Sequence, residues 1–177
     1  EKKVGGYDAV IISSTEKPND PVVGRTIAEV AKSRGVSGAD AALDLLAENN
    51  GTVGIVMFYM SEADMRTALK DPAVGVCSDG SAISPAFGGR PHPRYYGTFP
   101  RVLGKYVRDE KLLRLEDAVR KMTSLAAQRL GLRDRGVIRE GNWADLVLFD
   151  PDRVADRATF DDPHQYPVGV EYVIVNG

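Results

Sequence analysis

The sequence predicts an α/β fold that ends in a β-rich segment, on three observations. Two apolar runs, residues 54–60 and 73–77, flank a helical pattern and make a β-strand, α-helix, β-strand unit. A long amphipathic helical pattern follows. Beyond residue 131 no strong helical pattern remains, and two β-type runs close the chain. We therefore predict an α/β part over residues 1–131 and a β-rich segment over residues 132–177.

Length, composition and charge limit the class of protein. The 177 residues suffice for one domain, and 43% hydrophobic with 27% charged residues is typical of a soluble globular protein. A net charge of −2 argues against a nucleic-acid partner. No apolar run approaches the roughly 20 residues that span a membrane, and no secretory signal sequence begins the chain. The single Cys77 cannot form an internal disulfide, which favours a reducing, cytoplasmic setting.

The N-terminal third predicts one strand and two helices. Residues 7–12 form a β-type apolar run, and the following residues, rich in Pro and Asp, predict a loop. A short helical face ends at Gly35. Ser37 is placed to cap a second helix with the apolar stripe Ala42, Leu45 and Leu46. Asn50 and Gly51 then end that helix.

The middle of the chain carries the βαβ pattern. Residues 54–60 are apolar without alternation, which predicts a strand buried on both faces, as in a parallel sheet. Ser61 caps a helix that Pro72 ends, and residues 73–77 predict a second short buried strand. Cys77 lies in this strand, so we interpret it as a core residue and not as a nucleophile.

A long loop separates this unit from the C-terminal elements. Pro100 predicts the first turn of a helix that runs to about Glu110. The apolar residues from 115 to 130 recur at steps of three and four, which predicts one amphipathic helix closed by Gly131. Residues 144–150 and 170–177 are β-type runs and predict strands.

Asp79 is the first candidate for chemistry, because it follows a strand directly. Ligands of parallel α/β sheets bind outside the carboxyl ends of the strands, so this position suits a catalytic carboxylate. Ser78-Asp79-Gly80 is equally an ordinary turn, in which Asp bonds nearby backbone and Gly adopts positive φ. Position alone leaves both interpretations open.

The loop after Asp79 offers further polar groups. His92 shares it with two arginines, and an arginine such as Arg94 can form a bidentate contact with a substrate carboxylate. Solvated loop charges are the commoner outcome. The only other histidine, His164, is interpreted as a loop-packing residue, since the two lack the spacing of a zinc-binding motif.

Five stretches of the sequence are informative together: "DAVIISS", "VGRTIAEVAKSRG", "FYMSEADMRTALKDPAVGVCSDG", "PHPRYYGTFPRVLGKYVRDEKLLRLEDAVRKMTSLAAQRLGLRDRGVIREGNWADLVLFDP" and "DRATFDDPHQYPVGVEYVIVNG". They resemble the N-acyl-D-amino-acid deacylases (D-aminoacylases), a family of the amidohydrolase superfamily. The resemblance covers essentially the whole chain and matches the C-terminal part of these enzymes.

This resemblance implies a fold and a mechanism. The fold would be the C-terminal part of a (β/α)₈ TIM-type metal-dependent hydrolase barrel, with β-strands of a small composite β-domain. The cofactor would be zinc and the substrate a small-molecule N-acyl-D-amino acid. Asp79 would be the general acid/base that takes a proton from metal-bound water and passes it to the leaving amine. Asp79 would also be a weak ligand of a second metal site.

The resemblance also implies what the chain does not carry. The His-x-His, the metal-binding Cys and the two later histidines of the family have no counterpart here, and Cys77 does not match the ligand cysteine. The chain starts without Met, and we expect it to be a C-terminal piece that is inactive alone. Its partners would be a missing N-terminal part or a second copy. His92, Arg94 and Tyr95 would be substrate contacts or packing residues beneath the site.

Two other functions remain open at this stage. One is a related cyclic-amide hydrolase, similar to dihydroorotases or hydantoinases, although the "PHPRYYGTFPRVL" loop resembles the deacylases in particular. The other is a non-catalytic C-terminal module for docking or oligomerisation, which the absent metal ligands favour.

Overall fold

The structure is a computed structural model that describes residues 5–17 and 19–177. The chain divides into two compact units. The first contains the chain up to residue 61 together with residues 81–93 and 159–164. The second contains residues 62–80, 94–158 and 165–177. A division at residue 132, as drawn from the sequence, stays a prediction.

The first unit is built on a two-stranded antiparallel sheet. A 3₁₀-helix, Tyr7–Ala9, leads into β1, Val10–Ser14, which pairs with β2, Gly54–Met57. The predicted N-terminal strand is therefore present, but it starts three residues later than expected.

The prediction of a strand buried on both faces at residues 54–60 is wrong. Val56 is buried, whereas Ile55 is 45% and Met57 is 50% exposed, so burial alternates as in a sheet covered on one side. The strand also ends at Met57 and pairs antiparallel. A continuous apolar run shows that a segment is hydrophobic. It does not show whether the neighbouring strand runs parallel or antiparallel, which is why the prediction was wrong.

Both predicted helices of this unit are confirmed. In α1, Ile27–Arg34, Thr26 and Glu29 form a capping box, and Gly35 ends the helix with φ of +69°. In α2, Gly38–Glu48, the Ser37 side chain accepts a hydrogen bond from the backbone N–H of Asp40. Each cap satisfies a backbone group that the helix end leaves without a partner.

The helices cover one face of β1. Ile12 is fully buried and packs with residues of both helices, including Val30, Ala41 and Leu45. The expected α2 stripe is shifted by one position, because Ala41 is buried while Leu46 is 41% exposed.

The second unit begins with α3, Glu62–Lys70, where the sequence predicts a helix. The prediction that residues 73–77 form a buried strand is wrong. This segment has no strand partner among the residues described, and most of it is exposed. It is held to another element by one backbone hydrogen bond, from Val76 N–H to the Lys121 carbonyl at 3.2 Å. A β-strand needs a neighbour for its ladder, and short-range sequence patterns do not show whether one is available.

The helix expected to start at Pro100 starts earlier. It spans α4, Arg94–Arg101, and continues as a π-helix over Val102–Asp109, so Pro100 lies inside it. Proline cannot donate the i→i−4 hydrogen bond, and the change from α to π geometry comes two residues later. This correction moves Arg94 and Tyr95 from the predicted loop into the first turn of a helix.

The predicted helix over residues 115–130 is two helices. These are α5, Leu115–Met122, and α6, Ser124–Leu130, with Thr123 between them at φ −132° and ψ −90°. The Thr123 hydroxyl donates to the Val119 carbonyl at 2.7 Å, a local bond that competes with helix geometry. The apolar residues keep the same helical spacing on both sides of Thr123, so the sequence pattern does not reveal the break there. Gly131 ends α6 as predicted.

The core of the second unit lies where α3, α5 and the π-helix meet. Leu69, Val102, Tyr106 and Ala118 are buried there. Val76 packs against this cluster as a half-buried residue.

The two predicted C-terminal strands are confirmed. They are β3, Leu146–Phe149, and β4, Val170–Ile174, paired antiparallel with a register shift between Leu148 and Phe149. The described strands thus form two separate two-stranded sheets, and the partial barrel stays a prediction. Among the described residues, no helix has the length and apolar character needed to cross a membrane.

Candidate active site

Asp79 occupies a strained turn. Its φ is +46°, a left-handed conformation that Asp tolerates better than most residues. The expectation that Gly80 supplies the positive φ is wrong, since Gly80 is not among the residues with positive φ. The Ser78 hydroxyl closes the turn by accepting the Gly80 N–H at 3.2 Å. Strain of this kind concentrates at functional sites.

The carboxylate of Asp79 reaches outward to one cation. Its Oδ2 lies 3.0 Å from Nη2 of Arg94, and the Asp79 side chain is 83% exposed. Such an exposed pair contributes about 0–1 kcal/mol to stability, so the pair orients the two groups more than it stabilises the fold. The carboxylate remains accessible to a ligand.

Gly80 brings the Asp79 turn against the start of α4. A Cβ placed on Gly80 would lie 3.1 Å from both the Cα and the Cδ1 of Tyr95. The Arg94 guanidinium lies 6.0 Å from the centre of the Tyr95 ring, at the limit of a cation–π contact. Asp79, Arg94 and Tyr95, three of the four residues predicted for the site, therefore lie together in the second unit.

His92 belongs to the first unit. Its ring meets Phe160 edge-on with 5.0 Å between ring centres, and Phe160 also contacts Phe58 at 4.7 Å. His92 thus packs against Phe160 within its own unit, and its role as a substrate contact or as packing beneath the site stays a prediction. His164 contacts the Gly89 carbonyl through Nε2 at 3.1 Å.

Cys77 is exposed and its thiol is free, so the prediction that it is a core residue is wrong. The error follows from the strand prediction, because burial was inferred from a strand that the structure does not contain. Among the described residues, no three His, Cys, Asp or Glu side chains come together in a way that could hold a metal ion.

No sequence pattern indicates the contacts that hold the segment leading to Asp79. Lys121 of α5 is 1% exposed, and its ammonium donates to the carbonyls of Asp71 and Val74, the latter at 2.7 Å. Burial, with a smaller effect from neighbouring Arg120, lowers the pKa of Lys121. A lysine on an amphipathic helix is ordinarily a solvated residue, so only the fold reveals its role.

Comparison with known proteins now adds to this geometry. The family model described as "Amidohydrolase family" matches residues 19–177. The chain belongs to the amidohydrolase family. Among curated proteins of Alcaligenes xylosoxydans xylosoxydans, a D-aminoacylase is 45% identical over 161 residues, which is 91% of this chain and 31% of that protein. An N-acyl-D-glutamate deacylase is 42% identical over 160 residues, 90% of this chain and 31% of that protein.

Solved amidohydrolase structures are similar as well. N-acyl-D-glutamate deacylase of Bordetella bronchiseptica, solved with zinc and a phosphonate inhibitor that mimics the tetrahedral intermediate, gives a TM-score of 0.85 at 40% identity. The match covers 97% of this chain and 34% of that one. A D-aminoacylase with a binuclear metal centre gives a TM-score of 0.83 at 42% identity, over 95% of this chain and 33% of that one. The chain thus spans about a third of the length of its relatives.

Proposed function

We propose that this amidohydrolase chain is the C-terminal part of a zinc-dependent N-acyl-D-amino-acid deacylase. Such an enzyme hydrolyses the amide of an N-acyl-D-amino acid to a carboxylate and a free D-amino acid. The observation that carries the proposal is the exposed Asp79 carboxylate, which pairs with Arg94 and stands on a backbone strained by its positive φ. It lies in a chain that is 42–45% identical to deacylases.

The proposed zinc site is not complete among the residues that the structure describes. Asp79 is a single carboxylate beside a guanidinium, and the described residues provide no group of three metal-binding side chains. A catalytic zinc commonly has three protein ligands. We therefore infer that the metal ligands belong to sequence outside this chain, that Asp79 is at most a weak second-site ligand, and that the 177 residues do not hydrolyse substrate alone.

Asp79 serves in this proposal as general base and then general acid. Its carboxylate accepts a proton from the water that attacks the amide carbon, as the new C–O bond forms. It returns that proton to the amide nitrogen as the C–N bond breaks, so the amine leaves neutral and Asp79 is ionised again. Positioned proton transfer of this type contributes typically 10²–10⁴-fold. The exposure of Asp79 provides the access that both transfers need.

Arg94 and Tyr95 are proposed as substrate contacts. The Arg94 side chain is 38% exposed, and a guanidinium can bind a carboxylate through two parallel hydrogen bonds. The carboxylate of an N-acyl-D-amino acid is a suitable partner. Tyr95 follows Arg94 in the first turn of α4, so the helix carries both side chains to the Asp79 turn. His92 is proposed as packing within its own unit.

The test of Asp79 uses the full-length protein. Asp79→Asn keeps the size of the side chain and the tolerance for positive φ but removes the proton acceptor, so kcat should fall by at least about 100-fold. Zinc content and the melting temperature should stay close to the parent values, because the lost ion pair is exposed. Asp44→Asn, which removes an exposed carboxylate on α2, is the matched control. Near-normal turnover of Asp79→Asn would refute the assignment.

The test of Arg94 measures substrate binding. Arg94→Ala should raise KM for an N-acyl-D-amino acid about tenfold or more, because a charge-assisted contact is lost. Arg94→Lys should recover only part of the loss, since an ammonium does not form the bidentate contact. An unchanged KM in Arg94→Ala would reduce Arg94 to an orienting partner of Asp79.

A further inference from the structure

We propose that Lys121 is a positioning residue for Asp79, holding in place the segment of residues 71–76 that leads into the Asp79 turn. The inference rests on the proposed function, since it assigns Lys121 a part in the work of that carboxylate. Lys121 lies on α5 and does not belong to the Asp79 turn.

Lys121 binds the segment through both its side chain and its backbone. The ammonium donates to the carbonyls of Asp71 and Val74. The Lys121 carbonyl accepts the Val76 N–H at 3.2 Å. These three hydrogen bonds fix the segment at its start, middle and end, and the last lies three residues before Asp79.

The neighbouring residue of α5 adds a fourth contact. The Arg120 guanidinium donates to the Pro72 carbonyl at 2.7 Å. Gly75 lies on this side as well, and a Cβ there would make an ordinary contact of 3.4 Å with the Lys121 carbonyl oxygen. Residues 120 and 121 together therefore attach α5 to one short stretch of chain.

The segment depends on these contacts within the described part of the chain. Residues 73–77 belong to no described strand, so no β-ladder there fixes their backbone. The bonds from Lys121 to the Asp71 and Val74 carbonyls are part-buried, and the Asp71 carbonyl also accepts the Val74 N–H at 3.2 Å. Removing the ammonium would leave the Val74 carbonyl without that donor, which costs free energy where water does not replace it. Lys121 supplies donors to two carbonyls from a side chain that is 1% exposed.

A lysine suits this position better than an apolar residue. Its stem is buried, because the residue is 1% exposed, and its ammonium offers three donors. Burial lowers the pKa of Lys121, because removing an ammonium from water carries a desolvation cost. An apolar side chain that only filled the space would not carry that cost. The presence of a lysine therefore indicates that the hydrogen bonds of its ammonium matter here.

The first measurement is a double-mutant cycle on kcat in the full-length enzyme. Lys121→Met keeps the stem and removes the donors, and we expect kcat to fall about tenfold or more with little change in KM, because misplacement of a catalytic group slows the chemical step. In the Asp79→Asn background the same change should have almost no further effect. Lys121→Arg should restore part of the loss. Lys70→Met, which removes an exposed lysine of α3, should leave kcat unchanged.

The second measurement is backbone hydrogen exchange of the same full-length variants. Lys121→Met should speed exchange at Val76 at least tenfold, while the N–H groups of α2 exchange as in the parent. This readout does not depend on catalysis and is available for a variant with little activity.

The outcomes separate the two proposals. If Lys121→Met lowers kcat equally in the parent and the Asp79→Asn background, Lys121 does not act through Asp79 and the inference is overturned. Unchanged exchange at Val76 overturns it as well. If Asp79→Asn retains parental kcat, the proposed function fails and the positioning role falls with it, even where exchange shows that Lys121 holds the segment.

Discussion

Replacing Gly80 with alanine tests whether the contact between the Asp79 turn and α4 matters. The added Cβ would lie 3.1 Å from the Cα of Tyr95, 3.1 Å from its Cδ1 and 3.5 Å from the Arg94 carbonyl oxygen. Gly80 has no positive φ, so the new side chain meets its neighbours and not a forbidden backbone conformation. Any effect of Gly80→Ala therefore reports on packing.

The size of the effect follows from what can move. The Tyr95 ring can rotate away, but its Cα belongs to the first turn of α4 and moves only with the helix. The turn and the helix must separate by a few tenths of an ångström. Overpacking of this kind typically costs about 1–3 kcal/mol. Since a 1 Å misplacement of reacting groups can cost about 100-fold in rate, we expect kcat/KM to fall several-fold.

Gly75→Ala is the matched control, on the other side of Asp79. Its Cβ would lie 3.4 Å from the Lys121 carbonyl oxygen and 3.9 Å from Cδ2 of Leu125, both ordinary contacts, so stability and rate should change little. Denaturant unfolding and steady-state kinetics of the full-length variants give the two quantities. If Gly80→Ala has parental stability and rate, or if Gly75→Ala is equally impaired, close packing at Gly80 does not set the geometry of the turn.

Two further predictions concern stability. Leu45 is 2% exposed in the core of the first unit, so Leu45→Ala should lower the unfolding free energy by about 2–5 kcal/mol in denaturant titrations, and a change below 1 kcal/mol would contradict the described packing. The Asn176 N–H, with Arg135, holds the pKa of Asp145 below its usual value. A carboxyl group whose pKa is lower in the folded state stabilises the fold at pH values above its unfolded-state pKa. That stability is lost as the pH falls through the folded-state pKa. Asp145→Asn should therefore be less stable than the parent at pH 7, with a gap in melting temperature that narrows as the pH falls below about 4. A gap that stays constant with pH would refute the role of the Asp145 charge.

The sequence was sufficient where structure is decided by neighbours along the chain. The caps at Ser37 and Gly35 depend on residues at most four positions away, and both helices have the expected ends. The strands β3 and β4 carry β-type runs that long polar stretches isolate, and both were found. Local hydrogen bonds and turn preferences determine such elements.

Prediction failed where the outcome depends on what packs against a segment. Residues 54–60 and 73–77 are similar apolar runs, yet one contains a half-exposed antiparallel strand and the other has no strand structure. Whether each run forms a strand depends on which residues, distant in the sequence, pack against it. The exposure of Cys77 is a direct consequence of the second case.

The residues of the candidate site likewise divide into those that a local sequence feature indicates and those that only the fold reveals. Asp79 is a site candidate from the sequence because its position after an apolar run is a local feature. Arg94 is a candidate because it lies in the loop that follows, and Tyr95 became one through the family resemblance. The helix that begins at Arg94 was placed six residues too late, because Pro100 was read as its first turn. Lys121 has no sequence signal of its own, since only the fold brings α5 to residues 71–76.

The division of the chain between its two units limits how this protein can be recombined with its relatives. The backbone passes from one unit to the other after residues 61, 80, 93, 158 and 164. A chimaera with a single crossover, for example after residue 131, would join parts of each unit from two parents and mix their cores. Exchanging one whole unit would require residues 62–80, 94–158 and 165–177 to be replaced together. Individual side chains are therefore better exchanged between this chain and its relatives than blocks of sequence.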